Sequence, residues 1–371
     1  IKLIMYKFFL AKKFRPKIEI NFKTIKLIMY KFFLAKKFRP KIDFIKDRKK
    51  NFFYGIFHHS KNKFYRCSLG KKNPNKIFFV IKRSPGGGFF SNFIFVIKYV
   101  NYALKKNYIP IIDMENFPTN YNQKKNLYNI KNIWDLYFDN ISKYKLKDVY
   151  NSKNVIFSKS KLNVYLNDYN NKELKKTFSA NIKINQKILN KSIFFFNKNF
   201  KKTKNNPIGI HLRGTDQIIT PSHHLPPTIY DIIIFIEKKI KEKPNTKFFL
   251  VTEQKKYFNI LKRKYGALIC AYPSFRANKI SDFNNSLRNN HRNRLGLESL
   301  IEGLILSYCN EIVFCNSNIP FFSFFVSTKN IKKILISHGI NSSNPVFAYF
   351  KWYITVLPIS YLKYIIYKLF K

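Results

Sequence analysis

At 371 residues the chain is too long for one small core and suits two domains of ordinary size. With 46% apolar and 18% aromatic residues it can bury a sizeable interior, which excludes an intrinsically disordered chain. The net charge of +51 would suit a polyanion or an anionic membrane surface, but 59 of the 70 basic residues are Lys and only 11 are Arg. Lys, Asn, Ile, Phe and Tyr are all swollen together and all have A/T-rich codons. Base composition therefore accounts for most of the charge, no specific nucleic-acid partner is expected, and the scarce Arg residues carry more information than the Lys.

The 18-residue stretch "IKLIMYKFFLAKKFRPKI" occurs twice without substitution, from Ile1 and again from Ile25. Packed repeats drift in sequence, so an identical pair reads as a recent duplication or a gene-model artefact, as does the lack of a starting Met. Residues 1–50 are therefore set outside the catalytic fold. The apolar core of each copy is too short to span a bilayer, although it could lie on an anionic membrane surface.

From Lys76, "KIFFVIKR" reads as a buried strand, "SPGGGFFSN" as a glycine turn opening a helix, and "YIPIID" as the next strand. Strand, helix and strand make the unit of a parallel sheet. Gly87 and Gly88 would let the backbone approach a ligand closely, and the helix start after them offers free N–H groups; a plain tight turn would need glycine too. Residues 51–204 form the first α/β domain, with an Asn- and Lys-rich insert in which "LKKTFSANIKINQKILNKSIFFFNKNF" reads as helix. "KKTKNNP" has linker composition and sets the boundary.

Residues 205–345 repeat the alternation: "IGIHL" (strand), "TIYDIIIFIEKKIKEK" (helix), "KFFLVT" (strand), "QKKYFNILKRKYG" (helix), "ALICAYP" (strand), "LGLESLIEGLILSYCN" (helix) and "EIVFCNS" (strand). The expected architecture is α/β, two Rossmann-like parallel-sheet domains facing a cleft, with ligands at the carboxyl ends of the strands. Residues 346–371 form a basic aromatic tail for which peripheral membrane contact and ordinary docking of a terminal helix both remain open. The four cysteines show neither a C-x-x-C pair nor zinc spacing, so no metal is expected and buried thiols suffice.

Three strand ends line up on one surface of the second domain. They are His211, Arg213 and Asp216; Thr252 and Glu253; and Asn316, Ser317 and Asn318, joined by His291, Arg292 and Arg294 before a helix. An Arg fork with helix-start N–H groups suits a diphosphate, and a neighbouring carboxylate suits ribose hydroxyls or the N–H edge of guanine. Ser317 and Asn318 could equally cap the next helix, and His211 could be a satisfied core histidine.

"HLRGTD", then "FLVTE", then "ESLIEGLILSYCNEIVFCNSN" resemble the three motif regions of the α1,6-fucosyltransferase superfamily, which includes nodulation fucosyltransferases and protein O-fucosyltransferases. The resemblance covers roughly residues 208–327. It implies a GT-B fold, GDP-fucose as donor, inversion at the sugar carbon, a glycan hydroxyl as acceptor and no required metal. It implies that Arg213 holds the donor diphosphate with His211 beside it, that Glu253 lies near the nucleotide, that Glu302 contacts the guanine region and that Ser317 lies near the phosphates. Two departures stand out. Many members carry a second Arg where this chain has Gly214, so Arg292 or Arg294 would have to supply that contact. Pro221 stands where some members have a catalytic acid, so the base is Asp216, the pair His223 and His224, or an unassigned group or none. Two other readings stay open: a non-catalytic protein binding polyanions or membrane surfaces, and a GT-B transferase using another nucleotide sugar. The expected location is cytoplasmic, or peripheral at the inner face of the membrane.

Overall fold

The computed structural model describes residues 48–123, 126–201, 206–278 and 288–370. All of these belong to a single compact unit beginning at Ile45. The duplicated segment, residues 1–42, lies outside the described residues.

The first half opens with α1 (Arg48–His59), β1 (Tyr65–Cys67), β2 (Lys72–Ile81), α2 (Phe89–Lys105), β3 (Ile109–Ile112) and β4 (Ser152–Phe157). These strands form one sheet in the order β1-β4-β2-β3. β2 runs parallel to both β3 and β4, while β1 closes the edge antiparallel to β4. The apolar run at 78–81 is buried throughout, as a central parallel strand requires.

The expected long helix at the end of this half is two, α3 (Lys172–Asn181) and α4 (Gln186–Phe200). Between them Ile184 leaves the helix to pair with Phe138 across an isolated bridge. Asn185 then caps α4 by accepting from the Lys187 N–H at 3.0 Å. Both termini are sequence-encoded, the first by the apolar "IKI" that the bridge buries.

The second half holds β5 (Ile208–His211), α5 (Ile229–Glu242), β6 (Phe248–Val251), α6 (Lys255–Tyr265), β7 (Ile269–Cys270), α7 (His291–Ser307), β8 (Glu311–Phe314), α8 (Asn318–Val326) and β9 (Lys332–Leu335). Its sheet is wholly parallel in the order β7-β6-β5-β8-β9. That is a doubly wound sheet whose direction of growth reverses between β5 and β8, the place where such sheets bind ligands. Thr228 starts α5 with a capping box closed by Asp231.

The two halves share one apolar cluster. Phe90 of α2 stacks on Phe322 of α8 with ring centroids 4.2 Å apart, and Phe93 meets the same ring edge-on at 5.1 Å. Such ring pairs contribute about 0.5–1.5 kcal/mol each beyond their burial. Gly303 of α7 permits the stack: a Cβ there would stand 2.8 Å from Phe322 and 2.9 Å from Phe90. The N-terminus of α7 is fastened to the first half by Asn293, which donates to the Tyr121 carbonyl and accepts from the Leu127 N–H, both at 2.7 Å.

The last elements are α9 (Pro345–Lys351), a π turn (Trp352–Val356) and α10 (Leu357–Leu369), one continuous helical rod whose last helix packs on α5 and whose π turn packs on Ile218 and Leu225. Among the described residues, no helix is long and apolar enough to cross a membrane.

Candidate functional site

A cavity of about 410 Å³ opens between the two halves along the carboxyl edge of the second sheet. Its floor follows strand order: Ser274 and Phe275 after β7, Thr252 and Glu253 after β6, His211, Arg213, Thr215 and Asp216 at the end of β5, and Ser317, Asn318 and Ile319 after β8. At ~4.8 Å between neighbouring strands, the slot spans about 14 Å from β7 to β8, room for an extended ligand. The opposite wall brings Gly87, Gly88, Phe89, Phe90, Asn120 and Tyr121 from the first half, and α7 contributes Arg292, Glu298 and Glu302.

β5 ends where it does because its inner residues are fully committed to packing. A Cβ on Gly209 would lie 2.7 Å from Leu306 of α7, so only glycine lets strand and helix approach this closely. His211 is buried, and burial reinforced by Arg213 pushes its pKa down to about 3. It is a neutral imidazole in the cavity wall.

Arg213 is clasped by two carboxylates. Its Nη2 donates to Asp216 Oδ1, and its Nε lies 3.4 Å from Glu253 Oε1. Burial works against the guanidinium charge, and the two carboxylates outweigh it, so it stays protonated. The same Arg213 contact holds the half-exposed Asp216 below the usual carboxylate range. Glu253 Oε1 also accepts from the N–H groups of Gly214 and Thr215 at 2.8 and 3.1 Å and from the Thr215 hydroxyl at 3.0 Å. Glu253 thus lines the cavity and shapes the loop that carries Arg213. Gln217 ties that loop to the one after β8 by donating to the Asn316 carbonyl at 3.2 Å.

Ser317 sits at the N-cap of α8 in extended conformation, and its hydroxyl makes no capping hydrogen bond. Asn318 and Ile319 of the first turn line the cavity beside it, next to Pro320, which has no N–H to offer. Of the glycine turn, Gly87 gives its N–H to Asn92 at 2.8 Å, while the position a Cβ would take on Gly88 is open space. Only Gly88 keeps the freedom to let a ligand come close.

The β7 end has a different character. Arg276 organises its loop by donating to the carbonyls of Tyr272 and Ser274 at 2.9 and 3.0 Å. Glu298 is held bidentately by Arg288 at 2.5 and 3.2 Å and accepts from the Phe275 N–H at 3.0 Å. Glu302 stands 3.8 Å from Arg276, and its Oε1 is buried with no hydrogen-bond partner among the described residues. Burial pushes its pKa up to about 8 against the pull of Arg276, so at neutral pH it is mostly a protonated acid facing the slot.

Of the sequence-derived candidates, the cavity gathers Gly87, Gly88, His211, Arg213, Asp216, Glu253, Arg292, Glu302, Ser317 and Asn318. It does not gather three others. Arg294 is exposed on the far side of α7, since two residues of helix turn a side chain through about 200° from Arg292. His223 is exposed and His224 half-buried, its Nδ1 lying 3.3 Å from Asn316 Nδ2; neither lines the cavity. Asn341 anchors their loop, its N–H donating to the His223 carbonyl at 2.7 Å, and His223 stays close enough to Asp216 and Arg213 to feel both charges. Sequence reasoning passed over Ser274, Phe275, Arg276 and Glu298. The scarcity of Arg was the signal that could have found Arg276 and, through Arg288, its neighbour Glu298.

No family model matches the chain, and no curated protein matches it. Several solved structures are similar. NodZ α-1,6-fucosyltransferase co-crystallised with GDP is 12% identical at a TM-score of 0.44, covering 68% of this chain and 93% of that one. Fucosyltransferase NodZ from Bradyrhizobium is 13% identical at 0.41, covering 67% and 92%. A mutant of Arabidopsis thaliana FUT1 in complex with GDP is 10% identical at 0.36, covering 76% and 73%.

Proposed function

We propose that the chain is an inverting glycosyltransferase that moves fucose from GDP-fucose to a hydroxyl of a glycan. The observation that carries this reading is the placement of Arg213, clasped by Asp216 and Glu253 at the sheet's switch point beside the open N-terminus of α8. A diphosphate there would meet the Arg213 guanidinium, the N–H groups of Asn318 and Ile319 and the Ser317 hydroxyl. Arg292, whose Nη1 donates to the Asn120 carbonyl at 3.3 Å, is the second cation of the wall and takes the place of the arginine absent at Gly214. The base would lie toward β7, where the Glu302 carboxyl lines the slot and can accept from the N–H edge of guanine.

In the reaction, the acceptor oxygen bonds to the anomeric carbon from the face opposite the leaving group as the bond to the β-phosphate oxygen breaks. The departing negative charge falls on Arg213, Arg292 and the α8 N–H groups, and the acceptor proton passes to a carboxylate. Asp216 is the half-exposed carboxylate of the cavity, and its low pKa suits it to receive a proton only as the acceptor oxygen becomes acidic in the transition state.

Calorimetric titration with GDP beside ADP and UDP, repeated on Arg213→Ala, tests the reading. Selective GDP binding that weakens at least tenfold in the variant supports it, a loss of the size expected for charge-assisted hydrogen bonds. Equal, salt-sensitive binding of all three nucleotides, unchanged by the substitution, would mean that dispersed Lys residues bind polyanions and would end it.

A further inference from the structure

The C-terminal rod from Pro345 to Leu369 buries one stripe of side chains and leaves the opposite stripe apolar. Ala348, Trp352, Val356 and Ser360 are buried at four-residue intervals. A regular α-helix would drift by about 40° over each such interval, and the π turn at Trp352–Val356 takes up part of the drift so that the stripe stays on the protein. Specific bonds hold it there. Ser360 donates to Asp231 at 3.1 Å, Lys368 pairs with Glu237 at 2.7 Å, and Trp352 Nε1 donates to the Pro226 carbonyl at 3.4 Å.

The outward stripe should then be polar, and it is not. Phe347 and Ile354 are each 67% exposed, Ile366 47%, Leu369 72% and Phe370 86%, with Ile359 and Leu362 between them. An amphipathic surface helix puts charge on this face, and so long an apolar stripe on the outside marks a contact surface. The charge pattern says what kind. From Ile312 to Lys371 the sequence contains no Asp or Glu, while Lys363 stands exposed within the apolar stripe. The buried stripe fixes the rod's other side to the protein, Trp352 and Val356 against Ile218 and Leu225 and the last helix against α5, so the outward stripe meets a partner side-on.

We propose that this face is a membrane-docking surface, on which the rod lies parallel to an anionic lipid bilayer with its outward apolar side chains among the acyl chains. The surface is independent of the nucleotide-sugar reading of the cavity.

The full chain is sedimented with phosphatidylglycerol/phosphatidylcholine vesicles at physiological and at high salt, beside the variant Ile354→Ser/Leu362→Ser/Ile366→Ser. The variant keeps every charge and alters only exposed side chains, and its melting temperature confirms that it is folded; Leu369→Ser/Phe370→Ser at the open end of the rod is a second, milder variant. The wild type should keep binding at high salt, and the triple variant should lose at least tenfold in partitioning there. Equal partitioning of wild type and both variants would overturn the proposal, because charge alone or another segment would then hold the protein. Wild-type dimers that the triple variant abolishes, without vesicle binding, would also overturn it and assign the face to a second copy of the chain. Failure to bind vesicles at high salt would do the same.

Discussion

The Nε of Arg213 and the Oε1 of Glu253 stand 3.4 Å apart, and that carboxylate oxygen also takes the N–H groups of Gly214 and Thr215. One atom therefore fixes both the backbone after β5 and the side chain that the backbone presents. Glu253→Ala should leave two loop N–H groups and a partly buried guanidinium without this partner, lowering stability by about 2–3 kcal/mol. GDP affinity should fall about tenfold as Arg213 loses its orientation. Glu253→Gln keeps an accepting oxygen and should retain most of the stability. Chemical denaturation and calorimetry check both; wild-type affinity in Glu253→Ala would show that Arg213 is positioned from elsewhere.

Gly214 is sterically confined. A Cβ there would fall 2.6 Å from Tyr257 and 2.8 Å from Gln254, so a larger side chain would have to displace them. Gly214→Arg should destabilise the fold by more than about 1 kcal/mol and gain no GDP affinity. Arg292→Ala should weaken GDP binding about tenfold, whereas Arg294→Ala, on the exposed side of α7, should leave it unchanged. A comparable loss in Arg294→Ala would mean that α7 turns when nucleotide binds.

Much of this was legible in the sequence, and the reasons are particular. Parallel strands buried on both faces read as plain apolar runs, so β2, β3, β5, β6 and β8 stand out from "FFVI" to "EIVF". β1, β4 and β9 do not, because edge or Lys-bearing strands such as "YRC", "SKNVIF" and "KKIL" lack that signature. The β5 and β8 end of the cavity was readable because its contributors Arg213, Asp216, Ser317 and Asn318 follow their strands directly. The β7 end was not. Arg276 and Phe275 lie on a loop whose course is set by a bridge from Gln254 to Ala277, and no local pattern encodes that pairing. His223 and His224 lie just outside the cavity lining on a loop that Asn341 anchors, a pairing across more than a hundred residues that no local pattern encodes.

The joint between the halves depends on Gly296. A Cβ there would meet the Tyr137 hydroxyl at 2.3 Å, and that hydroxyl donates to the Asn293 carbonyl at 3.1 Å. Gly296→Ala, despite the better helix propensity of Ala, should lower stability by about 1–3 kcal/mol and weaken GDP binding as the two cavity walls part. Thermal unfolding and titration on one preparation test this. Unchanged stability would show that α7 can slide off Tyr137 without cost.

Glu302 makes both stability and binding depend on pH, in opposite directions. Its pKa rises from 4.5 unfolded to about 8 in the folded chain, chiefly through burial, with Arg276 and Ser274 opposing and Glu298 and Glu253 adding to the rise. Between those values the folded state holds a proton that the unfolded state has released, so this group's contribution to stability falls as pH rises, by at most about 1.4 kcal/mol per unit. Guanine presents N–H donors, which favour the ionised carboxylate, so GDP binding at neutral pH should release the Glu302 proton. Affinity should therefore climb with pH, by up to about tenfold per unit, and level off near pH 8. Titration of the nucleotide's own phosphate is common to all variants and cancels when wild type is compared with Glu302→Gln. The difference in log affinity between the two proteins should slope upward to pH 8, and the difference in unfolding free energy should slope downward over the same range. A flat affinity difference beside a sloping stability difference would show that Glu302 stays protonated against the base and would move recognition of the guanine edge to another group of the β7 loop; flat differences in both would show that burial does not raise its pKa.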